Sequence, residues 1–109
     1  MFVNTEQIQL GVVTFIENEI AKKAVGANKF IVYFAIPIIG NKIAQYINTF
    51  AENDFTKDFF DEQRNVNLDA VYTQAKEAIK KSGQFVIYGI VFNETDVDKL
   101  YAYIKQTAG

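Results

Sequence analysis

No cysteine and no histidine occur anywhere in the chain. The first absence excludes disulfides, thiolate nucleophiles and thiolate metal sites. The second removes the usual general base at neutral pH, and together they eliminate most zinc, copper and haem centres. Serine is nearly as scarce: Ser82 is the only one, stands at an expected helix end and has no histidine to activate it, so a Ser-His-acid arrangement is excluded. The six glycines are scattered, and none forms GxGxxG or a loop ending in GK[ST], which removes the common phosphate cradles. Arg64 is the only arginine among eleven basic residues, and the formal net charge is -2. With a single guanidinium fork and no basic surplus, nucleic-acid binding is not expected.

A pair of carboxylates, or a lysine with a carboxylate, is the chemistry left. Asp96 with Asp98, or Asp54 with Asp58, would serve as acid and base only in a cleft that raised a pKa. Helix caps and solvated loops are the ordinary uses of such acids. Asp54, Asp58, Asp61 and Glu62 lack the D-x-D-x-D-G spacing and turn glycine of a calcium loop and read as a solvated face. No catalytic, cofactor-binding or metal-binding residue is assigned, and no enzyme is expected.

What is present is apolar. Half of the 109 residues are hydrophobic, enough for one domain, residues 1–109, with a real core. The start, MFVNTEQIQLG, lacks the basic segment and apolar run of a signal peptide, and a cytoplasmic location is the expectation.

The chain is organised around Lys29 to Phe50, KFIVYFAIPIIGNKIAQYINTF. No charge interrupts Phe30 to Ile39, and Ile39, Ile43, Tyr46, Ile47 and Phe50 continue at helical steps. One helix from about Asn28 to Ala51 is expected, kinked or broken near Ile36 because Pro37 removes a hydrogen bond and crowds the Tyr33 carbonyl. The competing reading makes Phe30 to Ile36 a strand ended by Pro37. Asn41, Lys42 and Gln45 come too early for a membrane span, so no membrane role is expected.

Before the centre, Asn4 and Gln7 fit a capping box with Val3 and Ile8 as its staple, opening a helix at Thr5. Its face is Ile8, Val12, Phe15, Ile16, Ile20 and Ala24; Leu10 and Val13 fall outside it, and Gly26 is the expected stop. After the centre, Glu52 to Asn67 reads as a loop with one helical turn at most, in which Phe55, Phe59 and Phe60 must fold back or dock on a partner. Asn67 opens the next helix, Val66 and Val71 staple it, Leu68, Val71, Tyr72, Ala75, Ala78 and Ile79 form its stripe, and Gly83 closes it. Gln84 to Phe92 reads as β structure, with Gly89 a bulge or the bend of a tight hairpin whose arms are Phe85 to Tyr88 and Ile90 to Phe92. Thr95 with Asp98 fits a second capping box before a last helix faced by Val97, Leu100, Tyr101 and Ile104. Leu68 to Tyr72 and Val97 to Tyr101 are similar helix starts, a likeness that shared capping rules can produce without a repeat.

The expected fold is therefore mainly α with a small β element (α+β): three to four helices around a central apolar helix, plus a short β hairpin or strand near the C-terminus. Its ending, Asp96-Val97-Asp98-Lys99-Leu100-Tyr101 after Phe85 to Phe92, resembles small uncharacterised proteins of tailed phages and prophages of Gram-positive bacteria. The resemblance implies a phage setting and carries over no functional residue. The functional expectation is a non-enzymatic interaction or structural protein, a phage accessory or morphogenesis component, cytoplasmic or virion-associated; the alternative is a small regulator or inhibitor of a host or phage protein. Surplus apolar surface leads to a homodimer as the expected assembly, with Phe85 to Phe92 or the first helix at the contact.

Overall fold

The computed structural model describes residues 1–22, 25–87 and 90–108. Strand β1 (Phe2–Val3) leads into α1 (Thr5–Phe15), which runs on as a π-helical turn (Ile16–Ala21). Helix α2 (Ala27–Glu52) follows, then a 3-10 turn (Lys57–Phe59), β2 (Val66–Asn67), α3 (Leu68–Ser82), β3 (Phe85–Ile87), β4 (Ile90–Phe92) and α4 (Glu94–Ala108). The chain is thus mainly helical, with two small antiparallel strand pairs, β1 with β2 and β3 with β4.

Local chemistry explains most boundaries. Asn4 accepts from the Gln7 backbone N–H at 2.8 Å while the Gln7 side chain accepts from Asn4 N–H at 2.9 Å, the reciprocal box that starts α1. Asn67 caps α3 by accepting from Ala70 N–H, and Gly83, at φ 84°, ends it in a conformation that favours glycine. Helix α2 is a single helix through Pro37, so neither the break near Ile36 nor the strand reading of Phe30 to Ile36 is realised. Pro37 and Tyr33 both lie on the exposed side, which places the carbonyl that Pro37 leaves without a helical donor away from the core.

Two expectations need correction, and two further features emerge. Gly26 has the positive φ of a stop, 60°, but stands immediately before α2, whereas the first helix already ends in the π turn at Ala21. The box of α4 is Asn93 with Asp96: Asp96 accepts from Asn93 N–H at 3.0 Å and Asn93 from Asp96 N–H at 2.9 Å. Thr95 lies inside the first turn instead of capping it, and Asp98 is released for a different contact. Of the three loop phenylalanines, Phe60 packs on the core while Phe55 remains 93% exposed. Finally, β1 and β2 pair across the fold, Phe2 with Asn67 and Val3 with Val66, and Leu68 N–H donates to the Met1 carbonyl at 2.9 Å. Ala24, on the expected first-helix face, and Tyr88 and Gly89, at the end of one expected arm and at the expected bend, lie outside the described residues.

The core has two adjoining parts. Phe15, Ile16, Ala21, Val32, Ala35, Ile36, Ile39 and Phe92 form one; Val3, Ile47, Val66, Leu68 and Ile104 form the other. Val12, Ile43 and Leu100 touch both and join them. Helix α1 packs most extensively on α4 and next on α2, so the helical hairpin α1–α2 and the helix α4 hold the centre. Ile39 is buried and Ile43 half-buried, as the helical steps in the sequence require.

Candidate functional site

A helix that is apolar on every side is normally covered on every side. Helix α2 is not. Val32, Ala35, Ile36, Ile39, Ile43 and Ile47 recur at three- and four-residue steps and turn inward. On the opposite side of the first half stand Phe30, Ile31, Phe34 and Ile38, which are 70%, 52%, 74% and 45% exposed, with Tyr33 beside them. At about 200 Å² per aromatic side chain, the exposed parts of Phe30, Tyr33 and Phe34 alone amount to roughly 400 Å². With Ile31 and Ile38 the patch reaches about 500–600 Å², the upper end for the largest patch on an ordinary monomer. Beyond Ile38 the same outward side carries exposed Asn41, Gln45, Asn48 and Thr49 and turns polar.

Residues Lys29–Glu52 are long and apolar enough to cross a membrane by length and composition, and only 28% of the most apolar window is buried. The polar outward side beyond Ile38 limits that reading, because the continuous apolar surface spans just the first half of the helix. Sequence reasoning identified the apolar run as core and missed its outer face. Between Phe30 and Ile39 no polar residue other than the Tyr33 hydroxyl marks a solvent side, so periodicity had nothing to report.

Between α2 and α3 lies a cleft of about 250 Å³ lined by Val12, Ile43, Tyr46, Ala75, Phe92 and Leu100, with Lys42 the only charged residue lining it among the described residues. A small-molecule site needs a few convergent polar groups to fix orientation, and apart from Lys42 and Tyr46 the residues lining this cleft are apolar.

The two similar helix starts turn out to face each other. Tyr72 donates its hydroxyl to Asp98, and Tyr101 donates its hydroxyl to Asp69. Between them the two rings stack with centroids 4.2 Å apart. As one helix advances the other retreats, so α3 and α4 run antiparallel about a local two-fold. The likeness extends one turn further: Lys76 and Lys105, each four residues after its tyrosine, lie over the Tyr72 and Tyr101 rings at 5.9 and 5.1 Å. Lys76 also pairs with Asp98 and Glu94, both at 2.9 Å, and the Met1 ammonium pairs with Asp69 at 3.0 Å. This crossed D-x-x-Y-x-x-x-K arrangement clamps α3, which otherwise has few neighbours, onto α4.

The clamp sets protonation. Tyr101 and then the Met1 ammonium hold Asp69 below the ordinary carboxylate range; Tyr72 and then Lys76 do the same for Asp98. Both phenols are pushed up, chiefly by donating to those carboxylates. A lowered carboxylate stabilises the fold above its unfolded pKa and loses that contribution as pH falls through the folded value. A raised phenol stabilises below its unfolded value, ~10, and loses the contribution as pH rises through the folded one. Asp98→Asn should therefore cost stability in urea melts at neutral pH, and its difference from wild type should shrink below about pH 4. A difference that stays constant with pH would mean that the Asp98 charge is not what holds the helices.

The direction at Asp98 is also the opposite of what a proton donor requires. The Asp96 carboxylate caps α4, so this pair is divided between a cap and a clamp. Asp54 pairs with Lys57 at 3.4 Å, and Asp58 is exposed on the 3-10 turn. Asp61 braces its own loop, accepting from the Gln63 and Asn65 backbone N–H groups and from Asn65 Nδ2. Among the described residues no group of three acids is gathered as a metal site would need. Ser82 donates to the Ala78 carbonyl at 3.1 Å, an ordinary helix-end contact. The geometry is that of a small helical protein with an uncovered apolar face on the first half of α2. Compared with family models, curated proteins and solved structures, the chain matches none.

Proposed function

We propose that this is a non-enzymatic binding protein whose working surface is the outward face of the first half of α2. The observation that carries the reading is the exposure of Phe30, Ile31, Phe34 and Ile38 on a helix whose other side is the core. Exposed aromatics on a rigid element cost solubility and add nothing to this fold, which is the usual mark of a surface meant to be covered. The phage resemblance of the ending fits such a role in an accessory or morphogenesis component; a small regulator of a host or phage protein would use the same face. A photo-crosslinking side chain placed at position 34 in the full chain, in expressing cells, is expected to form adducts, and one placed at position 45 is not. Absence of adducts from position 34 would remove the reading.

Self-association through the hairpin is a second reading, and one observation favours it. Val86 and Val91 are paired across β3 and β4 and are 59% and 50% exposed on the side away from the core. Sedimentation equilibrium at micromolar concentration is expected to give a dimer mass that Val86→Lys returns to a monomer. A monomer throughout would dismiss it.

A further inference from the structure

Charge is segregated along the chain. From Ile20 to Ala51 the chain carries Lys22, Lys23, Lys29 and Lys42 and no acid, while the other seven basic residues share the rest of the chain with all thirteen acids. Lys22 and Lys29 are exposed, and Lys42 is half-buried with Nζ donating to Gln45 Oε1 at 3.3 Å. Among the described residues these three lysines make no ion pair, nor do Lys80, Lys81 and Lys105, whereas Lys57, Arg64, Lys76 and Lys99 do. Val25, in the segment before α2, adds a further apolar group at 78% exposure.

We propose that the outward face of α2 seats on the surface of an anionic lipid bilayer. Phe30, Ile31, Phe34 and Ile38 enter the boundary between headgroups and acyl chains, and the exposed Lys22 and Lys29 meet the phosphates. The inference rests on reading this face as the working surface and names what covers it.

Three other occupants fit the observations less well. A second copy applied face to face would bring two acid-free lysine sets together, with no carboxylate on either to offset them. A membrane-spanning insertion needs ~30 Å of apolar surface, and the outward run Phe30 to Ile38 supplies about 13 Å at 1.5 Å per residue. The inward side, moreover, is already committed to Phe15, Ile16 and Phe92. An acidic protein surface would match the charge, but a convex strip of Phe and Ile with only the Tyr33 hydroxyl for polar register gives a fixed partner little to read. A fluid, negatively charged apolar layer needs no register.

The test is co-sedimentation of the full chain with vesicles of phosphatidylcholine alone and of an equal mixture with phosphatidylglycerol, at low and high salt. Wild type, Phe30→Ser/Phe34→Ser and Lys22→Gln/Lys29→Gln are compared, with thermal melts showing that each variant is folded. Wild type is expected to partition to the mixed vesicles and not to phosphatidylcholine, with binding falling as salt rises. Removing two lysines should weaken it by about 30-fold, and the serine pair should abolish it. Equal binding to both vesicle types, unmoved by the lysine variants, overturns the anionic assignment. So does an absence of vesicle binding. In that event sedimentation equilibrium without lipid separates the two readings. A dimer lost in Phe30→Ser/Phe34→Ser keeps the face as a binding surface and gives it to a second copy. A monomer in wild type and variant alike, with no crosslinks from position 34, removes both.

Discussion

Phe15→Ala should cost about 3–5 kcal/mol, a large share of the ~5–15 kcal/mol that holds a domain of this kind together. The side chain is fully buried where α1 passes into the π turn. Its ring stacks on Phe92 at 6.0 Å and meets Tyr103 edge-on at 5.9 Å, so one residue ties the first helix to β4 and α4 at once. Ile36 and Ile39 of α2 belong to the same cluster, and a ring-sized void there has rigid elements on several sides and little room to collapse. Urea melts provide the check, with Phe55→Ala as the comparison. Phe55 is 93% exposed and its loss should stay within ~0.5 kcal/mol. Similar small effects for both would show that the end of α1 is not part of the core.

Gly11→Ala should also be destabilising, although alanine is the better helix former by roughly 1 kcal/mol. A Cβ at Gly11 would stand 2.7 Å from Ile104 Cγ1 and 2.8 Å from Ile104 Cα. The second atom belongs to the α4 backbone, so relief requires moving a helix and not merely rotating a side chain. Overpacking of this sort costs ~1–3 kcal/mol and more where backbone must shift. Gly40 gives the opposite expectation. A Cβ there would meet only Val13 Cγ2 at 3.7 Å, ordinary contact, so Gly40→Ala should stabilise by about 0.5–1 kcal/mol. Paired melts with opposite signs are the predicted result, and a stabilised Gly11→Ala would mean that α1 and α4 do not approach as closely as described.

Much of this fold was legible where local chemistry decides the outcome. Asn4 with Gln7, Asn67 and Gly83 mark helix ends because the groups that satisfy the end of a helix sit within a few residues of it. The long apolar stretch forms one helix because its steps stay helical on the inward side through Ile47. What escaped was decided at a distance. The β1–β2 pair joins two-residue strands far apart in the chain, Phe2–Val3 and Val66–Asn67, too short to show any period. The α4 box could be framed as Asn93–Asp96 or Thr95–Asp98, and the second frame is unavailable because Tyr72 and Lys76 from α3 engage Asp98. The likeness of the two helix starts was visible, but its use was not, since only packing brings Asp69 to Tyr101 and Asp98 to Tyr72. The π turn at Ile16–Ala21 likewise alters the face of the first helix, burying Ala21 while Ile20 is only half-buried.

The candidate site was the least legible part, and for a physical reason. Hydrophobic patterning identifies a buried side by contrast with a polar one, and the first half of α2 offers no contrast. Only the structure separates the inward Val32, Ala35, Ile36 and Ile39 from the outward Phe30, Ile31, Phe34 and Ile38.

The claim that this outward face does not serve the fold is tested most directly by thermal unfolding of Phe30→Ser/Phe34→Ser, followed together with the binding of an apolar fluorescent probe. Wild-type stability within ~1 kcal/mol and a large fall in probe binding are the predicted results. A loss of several kcal/mol would contradict the account, because it would show that Phe30 and Phe34 are part of what holds the protein together.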